Sequence, residues 1–519
     1  MAIGGVYGVR VSLSVGSDVA LLCCKLSEMS SSDKDASASP CLSEFEDELN
    51  KAIQTITAHF LSHRRNLSSD TIVDVASPSQ VTTIRDLAIP QSNPQPLQSA
   101  IERATQIFAH RIRNEHPRFF GFIPSPVSPI AWIADVVTTA FNVHAGSWFQ
   151  SSGPSAVEDS LCRWLATQAG FPTGEGTGGV FVSGGSMANL TGLMLARDQK
   201  LKFEERVRGV AYVSDQTHAS VAKGLRILGF GNEQIRKVQS DGRFRMDVAA
   251  LIEAGRKDRE DGLLPFLVVA TCGTTNTGSV DPMDEIADFA QSQNMWMHVD
   301  GAYGASVALS KSHKSLVRGV GRADSLSWDA HKWLFLTYGC GMLIVREKRL
   351  LTESLASNAE YIQDAVEEAT HNPNFWNMSM ELTRPARAMR LWFTLHVLGL
   401  DQVGQMIDHG FALAEVAEAE LRMLPGWEIV APASMAIVNF RFAPDARSSE
   451  ELDKLNSGIS KRAVEENLAA PLTTKIRGVT VMRICAISPE LGKNEIRKVI
   501  HGLDRIARSL FTAKPIAHK

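Results

Sequence analysis

Hydrophobic positions along the chain fall into three regimes. From Leu42 to Arg65 apolar residues recur at helical spacing (Leu49, Ile53, Ile56, Phe60), and a second helical stretch leads through Ile101 and Ile107. Between Gly179 and Arg346 the pattern changes to short continuous apolar runs separated by helical stretches: GVFVSGG, GVAYVSD, LPFLVVATCGTT, MWMHVDGAYG and GMLIV. Runs that are apolar at every position are what parallel strands buried on both faces require, so this region predicts an α/β sheet covered by helices on each side. A long helix is expected from near Arg384 to Leu398. Beyond Leu400, WEIVAP, AIVNFRF and VTVMRICAIS alternate with helices and predict a smaller α/β domain. Residues Ser30 to Pro40 are small and polar and cannot repay the entropy of ordering. The expected organisation is a flexible extension over 1–40, a helical segment over 41–125, a large domain over 126–398 and a small C-terminal domain over 399–519.

Composition changes this picture little but excludes several classes of function. With 519 residues, 44% hydrophobic and 21% charged, the chain has the make-up of an ordinary folded protein large enough to carry an enzyme. A net charge of -4 supplies no broad basic surface, so neither nucleic acid nor an anionic membrane is expected as a partner. The 7 cysteines are scattered, with neither zinc spacing nor a disulfide framework, and no metal site is expected. No apolar run reaches the ~20 residues of a membrane span. A cytoplasmic location is expected, although the lack of acids before Asp18 leaves a targeting segment open.

Four local features carry candidate chemistry. Lys332, in SLSWDAHKW in the loop between HVDGAYG and the run GMLIV, could act as a Schiff-base nucleophile if burial disfavoured its ammonium form. Taken alone, it reads first as a solvated charge. The turn Ser183-Gly184-Gly185-Ser186 lies between a strand run and a helical stretch, where free N–H groups could cradle a phosphate. A packing turn reads equally well, and neither the Walker nor the Rossmann pattern is present. Asp300 ends an apolar strand, where ligand crevices of open α/β sheets lie. A protonated ring nitrogen would satisfy its carboxylate, as would a helix N-cap or a salt bridge. His218, after the run VAYV, could stack on a flat ring, though a lone histidine is more often simply a satisfied polar residue.

Taken together, a phosphate site, a stacking face, a ring-nitrogen partner and an amine are the four things pyridoxal phosphate needs. The chain here resembles the group II pyridoxal-phosphate-dependent amino acid decarboxylases, which include the aromatic-L-amino-acid, tyrosine, histidine, glutamate and cysteine sulfinate enzymes. The likeness runs from about His116 to about Leu510. It rests on HPRFFGFIP (His116 to Pro124), SGGSMANLTGLMLAR (Ser183 to Arg197), SDQTHAS (Ser214 to Ser220), CGTTNTGSVDP (Cys272 to Pro282), MHVDGAYG (Met297 to Gly304) and DSLSWDAHKWL (Asp324 to Leu334).

The resemblance implies the aminotransferase-like fold of type I, with a mainly parallel seven-stranded sheet and a small C-terminal α/β domain. It implies that Lys332 holds the cofactor, Asp300 pairs with the ring nitrogen and His218 stacks on the ring. Gly185, Ser186, Ser325 and His331 are expected around the phosphate, with Thr275 and Ala302 near the ring. Tyr361, in the family's loop after the lysine, is implied as the acid that protonates the carbon left by carbon dioxide. A phenylalanine there is typical of related aldehyde synthases, and an ordinary surface tyrosine is the plain alternative.

Alignment with the family places Phe122, Ile123, Ser125 and Trp148 at the side-chain pocket, favouring an aromatic or other uncharged amino acid. An acidic substrate would need an arginine that the sequence does not place there, since Arg384 and Arg387 read as well as charges that hold the fold. Family members are usually homodimers with active sites shared between subunits. Asp329 stands where many members have asparagine, which should weaken phosphate binding unless His331 or another donor compensates, and Gly301 replaces a common alanine. Three other readings remain: an acidic amino acid decarboxylase, an aldehyde synthase on the same scaffold, and an inactive relative serving as a binding partner.

Overall fold

The computed structural model describes residues 46–90, 92–356, 372–444 and 447–512. The extension expected over 1–40 and Tyr361 lie outside the described residues. Contacts divide the chain into two compact units. The first contains helices α1 (Glu46–Asn66), α2 (Pro78–Leu87) and α3 (Leu97–Ala109), apart from the last residue of α1. Helix α1 opens on Glu46, Asp47 and Glu48 and closes on His63, Arg64 and Arg65, charges that match the two ends of its dipole. The helical segment expected over 41–125 is therefore not one piece, because 66–77 and the residues from His110 onward belong to the second unit. Burial explains the division: Ile72, Phe119 and Ala470 form one apolar cluster, and the Ile72 N–H donates to Asn467 Oδ1 at 2.9 Å.

The second unit is built on a seven-stranded sheet in the order β1-β7-β6-β5-β4-β2-β3. Its strands are β1 (Gly178–Val182), β2 (Gly209–Ser214), β3 (Ile235–Val238), β4 (Leu264–Thr271), β5 (Trp296–Asp300), β6 (Ser325–Asp329) and β7 (Gly341–Val345). The neighbours from β6 through β3 are parallel, whereas β7 runs antiparallel to both β6 and β1. An apolar run does not encode direction. The link from Ala330 to Cys340 decides it here, being too short for the crossover a parallel partner needs.

Strand β6 corrects the sequence reading, which placed SLSWD in a loop. It is buried along its whole length. Its serines look polar in the sequence but spend their hydroxyls inside the sheet, Ser325 on His298 and Ser327 on Asp300.

Past helix α4 (Arg387–Leu398), helix α5 (Leu400–Met423) leads into a second sheet of β8 (Trp427–Ser434), β9 (Ile437–Phe442), β10 (Thr473–Ile476) and β11 (Val479–Cys485). Its order is β10-β11-β9-β8 and all three pairings are antiparallel. The carboxyl ends of β1, β2, β4, β5 and β6 point to one side of the large sheet, and the residues just beyond them converge there. Among the described residues no helix is long and apolar enough to cross a membrane.

Arg384 is fully buried and donates to both Glu158 oxygens, at 2.6 and 3.0 Å, and to the carbonyls of Ala145 and Phe181. Arg387 pairs with Glu381. Both arginines thus hold the fold. Removing one partner from a dry ion pair leaves the other charge stranded, so Glu158→Leu should cost about 3–5 kcal/mol. Denaturant unfolding at neutral pH measures it, and Arg387→Ala, at a more exposed pair, should cost clearly less.

Candidate active site

The residues at the strand ends enclose a cavity of about 470 Å³. After β1 the chain turns through Gly184 into a helix, Gly185–Lys200, whose N-terminus has no side-chain cap. The first-turn N–H groups and the positive end of the dipole therefore face the cavity. A Cβ on Gly185 would lie 2.7 Å from Asp329 Oδ2 and 2.9 Å from the Ala302 methyl. Glycine is required there by close packing. Gly301 has a similar reason: a Cβ would come within 2.6 Å of Leu326, so the family's common alanine would not fit without a shift.

Lys332 stands in the helical turn Ala330–Trp333 directly after β6. Its Nζ is 3.0 Å from Asp329 Oδ2, while His331 Nε2 is 3.7 Å from the same oxygen. The cation paired with Asp329 is therefore the lysine. His331, pushed down in pKa by burial, has its Nδ1 2.9 Å from the Cys340 carbonyl.

Asp300, 5% exposed, ends β5. Its Oδ2 accepts from Asn189 Nδ2 at 3.0 Å, and its Oδ1 accepts from the Ser327 hydroxyl and the Ala302 N–H, each at 3.2 Å. Three donors hold this carboxylate in one orientation. His218 caps the helix Ala219–Ile227, its Nδ1 accepting the Ser220 N–H at 3.2 Å. Thr271 Oγ1 and Asp329 Oδ1, both from residues on the cavity wall, are buried with no hydrogen-bond partner.

The structure brings Lys332, Asp300, His218, Gly185, Ser186, Thr275, Ala302, His331, Phe122 and Ile123 to this one cavity. Three expected residues do not line it. Ser325 lies fully buried within the sheet, 2.8 Å from His298 Nδ1 and 2.9 Å from Trp296 Nε1, because it begins β6 while the cavity lies at that strand's other end. Ser125 is buried and donates to the His331 carbonyl at 2.8 Å, bracing the lysine's turn. Trp148 lines a separate cavity of about 780 Å³ with Asp159, Arg163 and Lys348.

Sequence reasoning passed over Asn189, Tyr303 and Tyr338, which line the cavity, and His298 beneath it. Asn189 and His298 lay inside quoted motifs, so a polar residue in an otherwise apolar run was the available signal. Arg483 of β11 gave no such signal. It is 4% exposed, donates to the Phe122 carbonyl, and its Nε and Nη2 have no partner.

These residues fit pyridoxal phosphate: an open helix N-terminus lined by glycine, a buried carboxylate with its oxygens fixed, an imidazole and an amine share one cavity. The model of the pyridoxal-dependent decarboxylase conserved domain matches residues 78–443. An aromatic-L-amino-acid decarboxylase of Bacillus atrophaeus is 34% identical over 456 residues, covering 88% of this chain and 94% of that protein. An L-2,4-diaminobutyrate decarboxylase of Acinetobacter baumannii is 27% identical over 479 residues, covering 88% and 92%. The crystal structure of Oryza sativa TDC with PLP and tryptamine matches with a TM-score of 0.85 at 26% identity, covering 90% of this chain and 98% of that one. The chain belongs to the pyridoxal-dependent decarboxylase family. It is a pyridoxal-phosphate-dependent carboxy-lyase that decarboxylates an amino acid, on the type I fold.

Burial lowers the pKa of His298 to about 4. The unfolded chain therefore takes up a proton near pH 6.5 that the folded chain refuses until about pH 4, so this residue makes stability fall as the pH drops through that window. The unfolding free energy of His298→Gln should decline less steeply there than that of the wild type, by at most about 1.4 kcal/mol per pH unit. Denaturant titrations from pH 7 to 4 measure the difference.

Proposed function

We propose that the protein converts an aromatic or other uncharged L-amino acid into its amine, with Lys332, Asp300 and His218 as the working residues. The observation that carries this reading is the cavity wall: Phe122, Ile123, Tyr303 and Tyr338 supply apolar and aromatic surface, and among the described residues Lys332 is the only lysine or arginine on it. A side-chain carboxylate would find no paired cation there.

Lys332 would hold the cofactor, Asp300 would keep a proton on its ring nitrogen, and His218 would cover the ring. Gly185, Ser186 and His331 would receive the phosphate at the helix N-terminus. Bound there, pyridoxal phosphate supplies an aldehyde for amines and a ring that draws electrons from the substrate's α-carbon. Lys332 would be the amine that holds the cofactor between turnovers and gives way to the amine of the substrate. The Asp300 carboxylate, held in one orientation, would favour the positive charge of a protonated ring nitrogen beside it. Tyr361 is proposed, from its sequence position, to deliver the proton that replaces carbon dioxide.

Arg483 favours a second reading. Its two unpartnered nitrogens behind Phe122 could serve an acidic side chain if that loop moved aside. We also propose a homodimer, supported by exposed apolar side chains at Val136, Val137 and Phe141 on one helix, which association would cover.

A panel of labelled amino acids that includes glutamate and 2,4-diaminobutyrate tests the substrate. Carbon dioxide should come fastest from tryptophan, tyrosine, phenylalanine or their hydroxylated forms, and preferential release from glutamate would transfer the assignment to the Arg483 reading. Lys332→Ala should abolish turnover and the visible absorption of the bound cofactor. Tyr361→Phe should shift products from amine toward aldehyde, ammonia and peroxide. Asp329→Asn should tighten cofactor binding several-fold by removing a negative charge beside the phosphate, read as the dissociation constant of the cofactor.

A further inference from the structure

Beneath the cavity runs a chain of buried polar groups whose donors follow from its two ends. The Trp296 indole can only donate, and its Nε1 lies 2.9 Å from Ser325 Oγ. At the other end the Asn189 amide donates through Nδ2 to Asp300 Oδ2 at 3.0 Å and to Ser220 Oγ at 3.0 Å, which turns its Oδ1 toward His298. That oxygen, 2.9 Å from His298 Nε2, can only accept, so the imidazole proton sits on Nε2. Nδ1 of the neutral ring is then bare and accepts the Ser325 hydroxyl at 2.8 Å. Ser220 in turn directs its hydroxyl to His218 Nδ1 at 2.8 Å. Every bond points the same way, from the interior of the sheet to the two groups that face the cavity.

The fold makes room for this chain at one place. Gly192, on the helix that follows β1, packs against the imidazole so tightly that a Cβ would lie 2.7 Å from His298 Nδ1 and 3.2 Å from Ser325 Oγ. His298 and Ser325 are both fully buried, and Asn189 is 1% exposed, so none of the three can trade its partner for water. His298 stays neutral here, since burial lowers its pKa to about 4.

We propose that His298 and Asn189 are positioning residues that set Asp300 and His218 as one unit: His298 locks the Asn189 amide, and that amide holds the Asp300 carboxylate and, through Ser220, the proton and ring orientation of His218. The consequence is a carboxylate with one oxygen pinned before any ligand arrives and an imidazole that presents Nε2–H to the cavity. The proposal rests on the reading that Asp300 and His218 meet the cofactor ring.

His298→Leu removes the donor to Asn189, whereas His298→Gln can restore an N–H in place of Nε2. For His298→Leu the dissociation constant of pyridoxal phosphate should rise about tenfold, kcat should fall about tenfold with KM within about twofold, and the visible band of the bound cofactor should weaken. His298→Gln should recover most of each. Ser325→Ala, a loss of one hydroxyl that the fold should tolerate, should raise the dissociation constant about threefold. It keeps the test valid if His298→Leu does not fold. Equal impairment of His298→Leu and His298→Gln, or an unchanged dissociation constant in Ser325→Ala, overturns the relay. Asp300→Asn separates the two levels: if it weakens cofactor binding while the His298 and Ser325 variants do not, the relay alone fails. If Asp300→Asn itself leaves binding and the visible band unchanged, the reading beneath it fails.

Discussion

Giving a buried carboxylate its hydrogen-bond partners is the constraint around which this molecule is arranged. Asp300 sits at the end of β5, almost without exposure, where a polar group left without partners is costly. Three donors from three different elements supply them: Asn189 from the helix after β1, Ser327 from β6 and the Ala302 N–H from the turn after β5. Each is in place only if the strands keep their order and register, so the chemistry of the site and the topology of the sheet are one requirement. Ser327 stands opposite Asp300 in the β5–β6 pairing, and one residue of slip would replace its hydroxyl with Leu326 or Trp328.

The same economy governs the other charges. Arg384 and Glu158 pair with each other in the dry interior. Lys332 and Asp329 pair at the cavity wall, where the side chain of the lysine remains 25% exposed and can reach a ligand. Asp329, which by sequence comparison looked like an obstacle to a phosphate, is also the acid that holds the lysine beside the helix N-terminus. Its second oxygen is left without a partner.

The two sheets divide the work. The parallel part of the large sheet brings loop residues from five strand ends together, and the small antiparallel sheet supplies Arg483, which braces the Phe122 carbonyl at the cavity edge. The aromatic character of that edge comes from segments far apart in sequence, Phe122 near the start of the main body and Tyr338 after the lysine. The aromatic lining of the cavity is thus a property of assembly.

Much of this was legible in the chain itself. Unbroken apolar runs announced β1, β2, β4, β5 and β7, since a strand buried on both faces has no polar side to show. The motifs around Gly185, His218, Asp300 and Lys332 marked residues that the fold brings to one cavity. Tertiary structure decided the rest. The direction of β7 followed from a short link, and β6 was hidden because its serines are polar in sequence yet paired in space. Ser325, Ser125 and Trp148 were placed by linear proximity or alignment, and in the fold none of the three lines the cavity. The joining of His298 to Asp300 through Asn189 is invisible in one dimension, since a hydrogen bond depends on distance and direction between elements that the sequence holds 109 residues apart.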